Sequence, residues 1–219
     1  MLFYYWQKIG PDHLAGILPI SMGLKGTFGL RIGAIWGLGH GLSAMALGMG
    51  MFFLKDTLGG KLEVVKKLSN VAETVVGFSL VTIGLIGIKE NMAHKVEPVD
   101  PSKDTVDITD NVLYHPEQNV AASGTAVFAN GLLHGCSLDG APSILPAIAM
   151  NSWGTAVTFL TAYCFGTMLT MSLTAGIIGE LSTRLGKALD NPDLPRNLSL
   201  GSSAIAILIG VFWIIKCYI

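Results

Sequence analysis

Apolar residues in this chain gather into long blocks separated by short polar breaks. Phe28–Leu54, Val71–Ile88, Ala122–Met150 and Trp153–Leu181 are four such blocks, and a fifth, Leu200–Ile219, runs to the last residue. An α-helix rises 1.5 Å per residue, so about 20 mostly apolar residues cross the roughly 30 Å hydrocarbon core of a bilayer. The first block, Leu2–Gly23, is different. Its clean apolar part, Leu14 to Gly23, is too short to span alone, and reaches membrane length only if Trp6, Gln7, Lys8, Asp12 and His13 enter with it. The pattern predicts an all-α fold: a polytopic transmembrane helical bundle of six helices, forming one domain over residues 1–219.

Composition sharpens this picture. Hydrophobic residues make up 51% of the chain and charged residues 13%, against roughly a quarter charged in a soluble domain. Charge is also unevenly placed. Between His94 and Ala121, six acids and two lysines give a balance of −4, leaving +3 for the rest of a chain whose net charge is −1. With Pro98, Pro101 and Pro116, residues 94–121 read as a polar acidic connector between a first half, 1–93, and a second half, 122–219. Lysine and arginine divide six against eight between the two sides of a six-span chain, too evenly for the positive-inside rule to orient it. Cys136, Cys164 and Cys217 are odd in number and sit in apolar runs, so no disulfide framework is expected. No signal-peptide pattern and no phosphate-binding Gly-x4-Gly-Lys-Ser/Thr motif is read, and neither an enzyme activity nor a nucleic-acid partner is expected.

The two halves share a motif. Asp12-His-Leu-Ala-Gly-Ile-Leu-Pro19 and Asp139-Gly-Ala-Pro-Ser-Ile-Leu-Pro146 both read Asp-x6-Pro and end in Ile-Leu-Pro, at an offset of 127. The same offset carries Phe28–Leu54 onto 155–181 and Val71–Ile88 onto 198–215, where Trp153–Leu181 and Leu200–Ile219 lie. Three helices per half is an odd number, so the second half enters from the opposite side. The expectation is a 3+3 inverted repeat, with a site near the midplane where the halves meet.

Polar residues inside apolar blocks are costly and read as functional by default. Here they are Asp12, His13, His40, His134 and Asp139, with Glu73 and Glu180 nearer the ends. Imidazole and carboxylate together suit a divalent first-row metal ion. Residues five apart lie roughly 140° apart around a regular helix, so His134 and Asp139 would not share one ion without a break. Gly135, Gly140 and Pro142 around one acid, and Gly10, Pro11, Gly16 and Pro19 around the other, suggest helices broken at Asp12–Pro19 and Asp139–Pro146. Structural ion pairs explain the same residues without a metal. His40, among glycines at Trp36-Gly-Leu-Gly-His40-Gly41, could instead bond a neighbouring helix. His94 and His115 in the connector could gather ions or stand in solvent, and Cys136 could be a soft ligand or an inert thiol.

Gly10-Pro-Asp-His-Leu-Ala15, Trp36-Gly-x-Gly-His40 and Leu133-His-Gly-x3-Asp139, in that order, resemble the nickel/cobalt transporter family of the NicO type, within the LysE-like transporter superfamily that includes plastid and urease-accessory-like members. The likeness runs from Gly10 to the C-terminus. It implies an integral membrane carrier, in a plastid membrane by analogy with those members, which moves Ni²⁺ or Co²⁺ as substrate and holds no tightly bound cofactor. Asp12, His13, His40, His134 and Asp139 would be its metal ligands. The family's first helix has a histidine several residues before its Asp-His pair; here Gln7 stands at that place. Two rivals follow. A redox protein would need a cysteine pair, and Cys136 and Cys164 fall on different predicted helices. A structural or assembly subunit of a larger membrane complex would keep the fold without the transport.

Overall fold

The computed structural model describes residues 11–54, 62–93, 124–136, 141–191 and 193–217, and for 11–12, 62–69, 93 and 141–144 the backbone alone. Seven helices and no strand are found among the described residues: α1 (Pro11–Ser21), α2 (Gly26–Leu54), α3 (Leu62–Ala93), α4 (Gly124–Gly135), α5 (Ala141–Ala149), α6 (Trp153–Ala188) and α7 (Leu194–Lys216). Among the described residues, four stretches are long and apolar enough to cross a membrane: Gly26–Leu54, Asn70–Met92, Trp153–Ala188 and Leu194–Lys216.

The turns follow from local chemistry. After α1 the chain reverses at Gly23, whose φ of 78° costs a residue without a Cβ nothing. Its N–H donates to the Ser182 hydroxyl at 2.9 Å, tying the turn to α6. The first N–H groups of a helix have no partner within it; that of Gly26 donates to the Glu180 carboxylate of α6 at 3.1 Å. At the same end of α6, the Asn191 N–H returns to the Gly186 carbonyl at 2.9 Å, and Pro195 opens α7 where a missing N–H is harmless.

Small residues set the packing. Along α2, a Cβ on Gly29 would meet the Ala175 carbonyl oxygen at 2.6 Å, one on Gly37 the Met168 Cα at 2.6 Å, and one on Gly41 the Cys164 Cα at 2.8 Å. Numbers rise on α2 as they fall on α6, so the pair is antiparallel and in backbone contact. Bare glycines at intervals of four make that approach possible. The same device joins α3 to α7, where Gly77 and Gly210 each face the other's carbonyl. On a second face of α2, Gly131 and Gly135 of α4 lie against the backbone of Trp36 and His40. Helix α1 and the turn after it close the centre: Ile17, Ile20 and Leu24 join Ile32 and Trp36 of α2, Val127 of α4 and Met171 and Ala175 of α6 in one apolar cluster. Large side chains instead line the outside, with Phe165, Leu169, Leu173, Ile177 and Leu181 exposed one turn apart on α6.

Two expectations need correction. Asp12–Pro19 is not a break, because α1 runs continuously from Pro11 to Ser21 with Pro19 inside it. Pro19 removes only its own bond to Ala15 and sits in the last turn, where the helix is ending anyway. Across the expected span 122–150, α4 ends at Gly135 and α5 begins at Ala141, so the break expected over Asp139–Pro146 does not extend through Ala141–Pro146, and Pro146 sits inside a regular α5. At 11, 12 and 9 residues, α1, α4 and α5 are each too short to span alone, so six long helices are not found among the described residues. The connector 94–121, with His94 and His115, lies outside the described residues.

Candidate functional site

Three of the five residues singled out in the sequence meet at one place. His13 comes from the first turn of α1, His40 from the middle of α2 and His134 from the last turn of α4. The His13 ring lies 4.8 Å from that of His40 and 6.1 Å from that of His134, centroid to centroid. His134 is 1% exposed and His40 3%. Asp12 belongs to α1, but its side chain is outside the described residues, as is Asp139 entirely.

The three imidazoles share a floor. Trp36, fully buried, lies one helical turn before His40 and stacks on its ring at 5.3 Å with 10° between planes. His13 meets the same indole edge-on at 5.6 Å, and His134 tilts against it at 5.5 Å. On the α6 side, the Tyr163 hydroxyl stands 3.4 Å from His40 Nε2.

Asn130 organises the far wall. The Trp36 indole N–H donates to its side-chain oxygen at 2.6 Å. An indole nitrogen only donates, which orients the amide with its NH₂ toward the Ser79 hydroxyl of α3, 3.5 Å away. One turn on, His134 Nδ1 is 3.0 Å from the Asn130 backbone carbonyl. A carbonyl only accepts, so Nδ1 carries the proton and Nε2 the lone pair of the neutral ring. That Nε2 faces α1, since a Cβ on Gly16 would lie 3.2 Å from it. Gly16 is three residues after His13, on the same face of α1.

Two imidazoles bound to one ion at about 2.1 Å place their ring centroids roughly 5 Å apart, close to the spacing here. Among the described residues, however, no group of three or more His, Cys, Asp or Glu side chains is arranged to hold a metal ion. The rings are neighbours through Trp36, and no ready-made coordination sphere is present among them. Cys136 is exposed and Cys164 buried, both as free thiols, with no cysteine pair for redox chemistry among the described residues. Sequence reading missed Asn130, Tyr163 and the floor role of Trp36. Asn130 carried a usable signal: it is an amide in an apolar block, one helical turn before His134.

Two relatives cover nearly all of the chain. Chloroplast protein FOR GROWTH AND FERTILITY 2 of Arabidopsis thaliana is 32% identical over 207 residues, 94% of this chain and 52% of that protein. Chloroplast protein FOR GROWTH AND FERTILITY 1 of the same plant is 32% identical over 202 residues, 92% of this chain and 53% of that protein. The chain therefore spans about half the length of these relatives. No family model matches the chain, and no solved structure does. What the comparisons establish is likeness along almost the whole chain to proteins of the chloroplast.

Proposed function

We propose that this chain is an integral protein of a plastid membrane that carries a divalent transition-metal cation, with Ni²⁺ and Co²⁺ the first ions to test. His13, His40 and His134 would be its ligands, with Asp12 and Asp139 as carboxylate partners. The observation that carries the reading is the meeting of three histidines from three helices around one buried indole. Buried imidazoles need a reason, and neutral imidazole is the ligand that costs least to bury.

Other observations agree with it. Glycine, serine and alanine fill the helix contacts while leucine, isoleucine and phenylalanine face outward, the arrangement a protein takes when lipid is its solvent. Under the 127-residue offset, α2 pairs with α6 and α3 with α7. Each such pair packs antiparallel, as halves related by a two-fold axis in the membrane plane would. The resemblance of the three motifs to NicO-type carriers points to the same cargo. The names of the chloroplast relatives speak of growth and fertility and of no substrate.

The decisive measurement is uptake by protein reconstituted into vesicles loaded with a divalent-metal indicator. Ni²⁺ or Co²⁺ entry above that of empty vesicles, lost in His134→Ala, is the expected result. No uptake, and no binding up to about 1 mM ion, would sink the carrier. A structural or assembly subunit is the second reading. It is favoured by the lack, among the described residues, of a ready-made group of metal-binding side chains. Its mark would be a metal-free protein that is recovered only with a partner.

A further inference from the structure

We infer that Asn130 is the positioning residue of this site, a role that deepens the carrier reading and rests on it for the identity of the ligand. Asn130 acts through two other residues and need not touch an ion itself.

Its two polar ends do different things. The backbone carbonyl accepts from His134 Nδ1 at 3.0 Å and so turns the lone pair of Nε2 toward α1, where His13 stands. The side-chain oxygen accepts from Trp36 Nε1 at 2.6 Å and so fixes the plane of the indole on which His40 stacks. The amide NH₂ reaches Ser79 on α3, whose hydroxyl donates in turn to the Val76 carbonyl at 2.8 Å. One 5% exposed asparagine therefore joins α2, α3 and α4, and bears on two of the three imidazoles at once. Metal-binding histidines characteristically donate their second ring nitrogen to a carbonyl or carboxylate, which fixes ring orientation and basicity. His134 has that arrangement already. The indole is held in an equivalent way, and a tilted indole would no longer present a flat face to His40.

A leucine at 130 matches the volume but offers the indole no acceptor. An aspartate keeps the acceptor for the indole, and its second oxygen can take the Ser79 proton now given to the Val76 carbonyl. The test compares wild-type protein with Asn130→Leu, Asn130→Asp and Trp36→Phe, each purified in detergent. Co²⁺ titration is followed by its visible absorption, which reports ligand geometry. Nitrogen-15 labelling reports the Trp36 indole N–H (assigned by its loss in Trp36→Phe) and the tautomers of the histidines, in the absence of metal.

The expected result is a Co²⁺ affinity lowered about 10–100-fold in Asn130→Leu, with an altered absorption band. Its indole N–H should exchange with solvent far faster than in wild type. Asn130→Asp should restore slow exchange and wild-type affinity or tighter. Should Asn130→Leu fail to fold, Trp36→Phe removes the same hydrogen bond from the other side without leaving a buried donor, and should show the same affinity loss. Wild-type affinity and spectrum in both Asn130→Leu and Trp36→Phe would overturn the inference, as would Asn130→Asp behaving like Asn130→Leu. If wild-type protein binds no Co²⁺ or Ni²⁺, the carrier reading fails, and the metal-free signals decide the role of Asn130 alone. Unmoved indole exchange in Asn130→Leu would then end it.

Discussion

Replacing Gly131 by alanine should separate α4 from α2 and open the site without removing any of its polar groups. A Cβ at 131 would overlap the Trp36 carbonyl oxygen and lie 3.0 Å from the Trp36 carbonyl carbon and 3.2 Å from the His40 nitrogen. Those atoms are backbone in the middle of a helix and cannot rotate away. Restoring ordinary contact of about 3.5 Å requires the two helices to part by more than an ångström. Trp36 and His40 remain with α2, while Asn130 and His134 travel with α4. The Trp36–Asn130 bond, now 2.6 Å, would be carried to about the distance at which no hydrogen bond remains. Overpacking costs roughly 1–3 kcal/mol, and an interhelical hydrogen bond between membrane helices contributes about 0.6–1.7 kcal/mol. Alanine returns close to 1 kcal/mol through its better helix propensity. The expected net loss is about 1–4 kcal/mol.

The assay is reversible unfolding in mixed micelles, followed by tryptophan fluorescence, with metal titration of the folded protein. Gly166→Ala is the internal control, because a Cβ there meets nothing within 4 Å. It should be neutral or slightly stabilising. Equal stability and equal metal affinity in Gly131→Ala and Gly166→Ala would refute both the close packing of α2 on α4 and the dependence of the site on it.

Gly16→Ala is a gentler probe: its Cβ would press His134 Nε2 and the Asn130 side-chain oxygen at 3.2 and 3.3 Å. Calorimetric titration should show weaker Co²⁺ binding with the unfolding midpoint little changed. His134→Ala should abolish metal binding, while His40→Ala should leave a measurable remainder, since Trp36 can still pack and His13 and His134 persist; the same titration checks both. At the far end of α3, Asn91 donates to the Gly87 carbonyl at 2.7 Å and to Ser199 at 3.0 Å, and Ser199 donates to the Pro19 carbonyl at 3.2 Å. Asn91→Leu should cost about 1–3 kcal/mol in the same unfolding assay by stranding buried partners. Limited proteolysis of vesicle-embedded protein should cut first within residues 94–121, where prolines and acids concentrate.

The sequence made the four long helices legible because their apolar blocks are unbroken and much longer than a soluble core helix needs. Expected Phe28–Leu54 and observed Gly26–Leu54 agree to within two residues for that reason. It misplaced the irregularities, because proline and glycine mark where a helix can break and tertiary contacts decide whether it does. Pro19 is held inside α1 by a turn that was ending. Gly135 ends α4 where its missing side chain lets α4 lie on the His40 backbone. The histidines were legible as polar residues out of place, one by one. Their meeting was not, since it depends on α1, α2 and α4 converging, and the glycines that allow this look in sequence like ordinary membrane-helix glycines. Asn130 shows the limit most clearly. Its chemistry is unremarkable until Trp36, 94 residues earlier, is placed 2.6 Å from its oxygen. A site of this kind is written less in its histidines than in the small residues that let three backbones approach. Substitutions at Gly16, Gly131 and Gly135 should therefore disturb metal binding while every histidine remains in place.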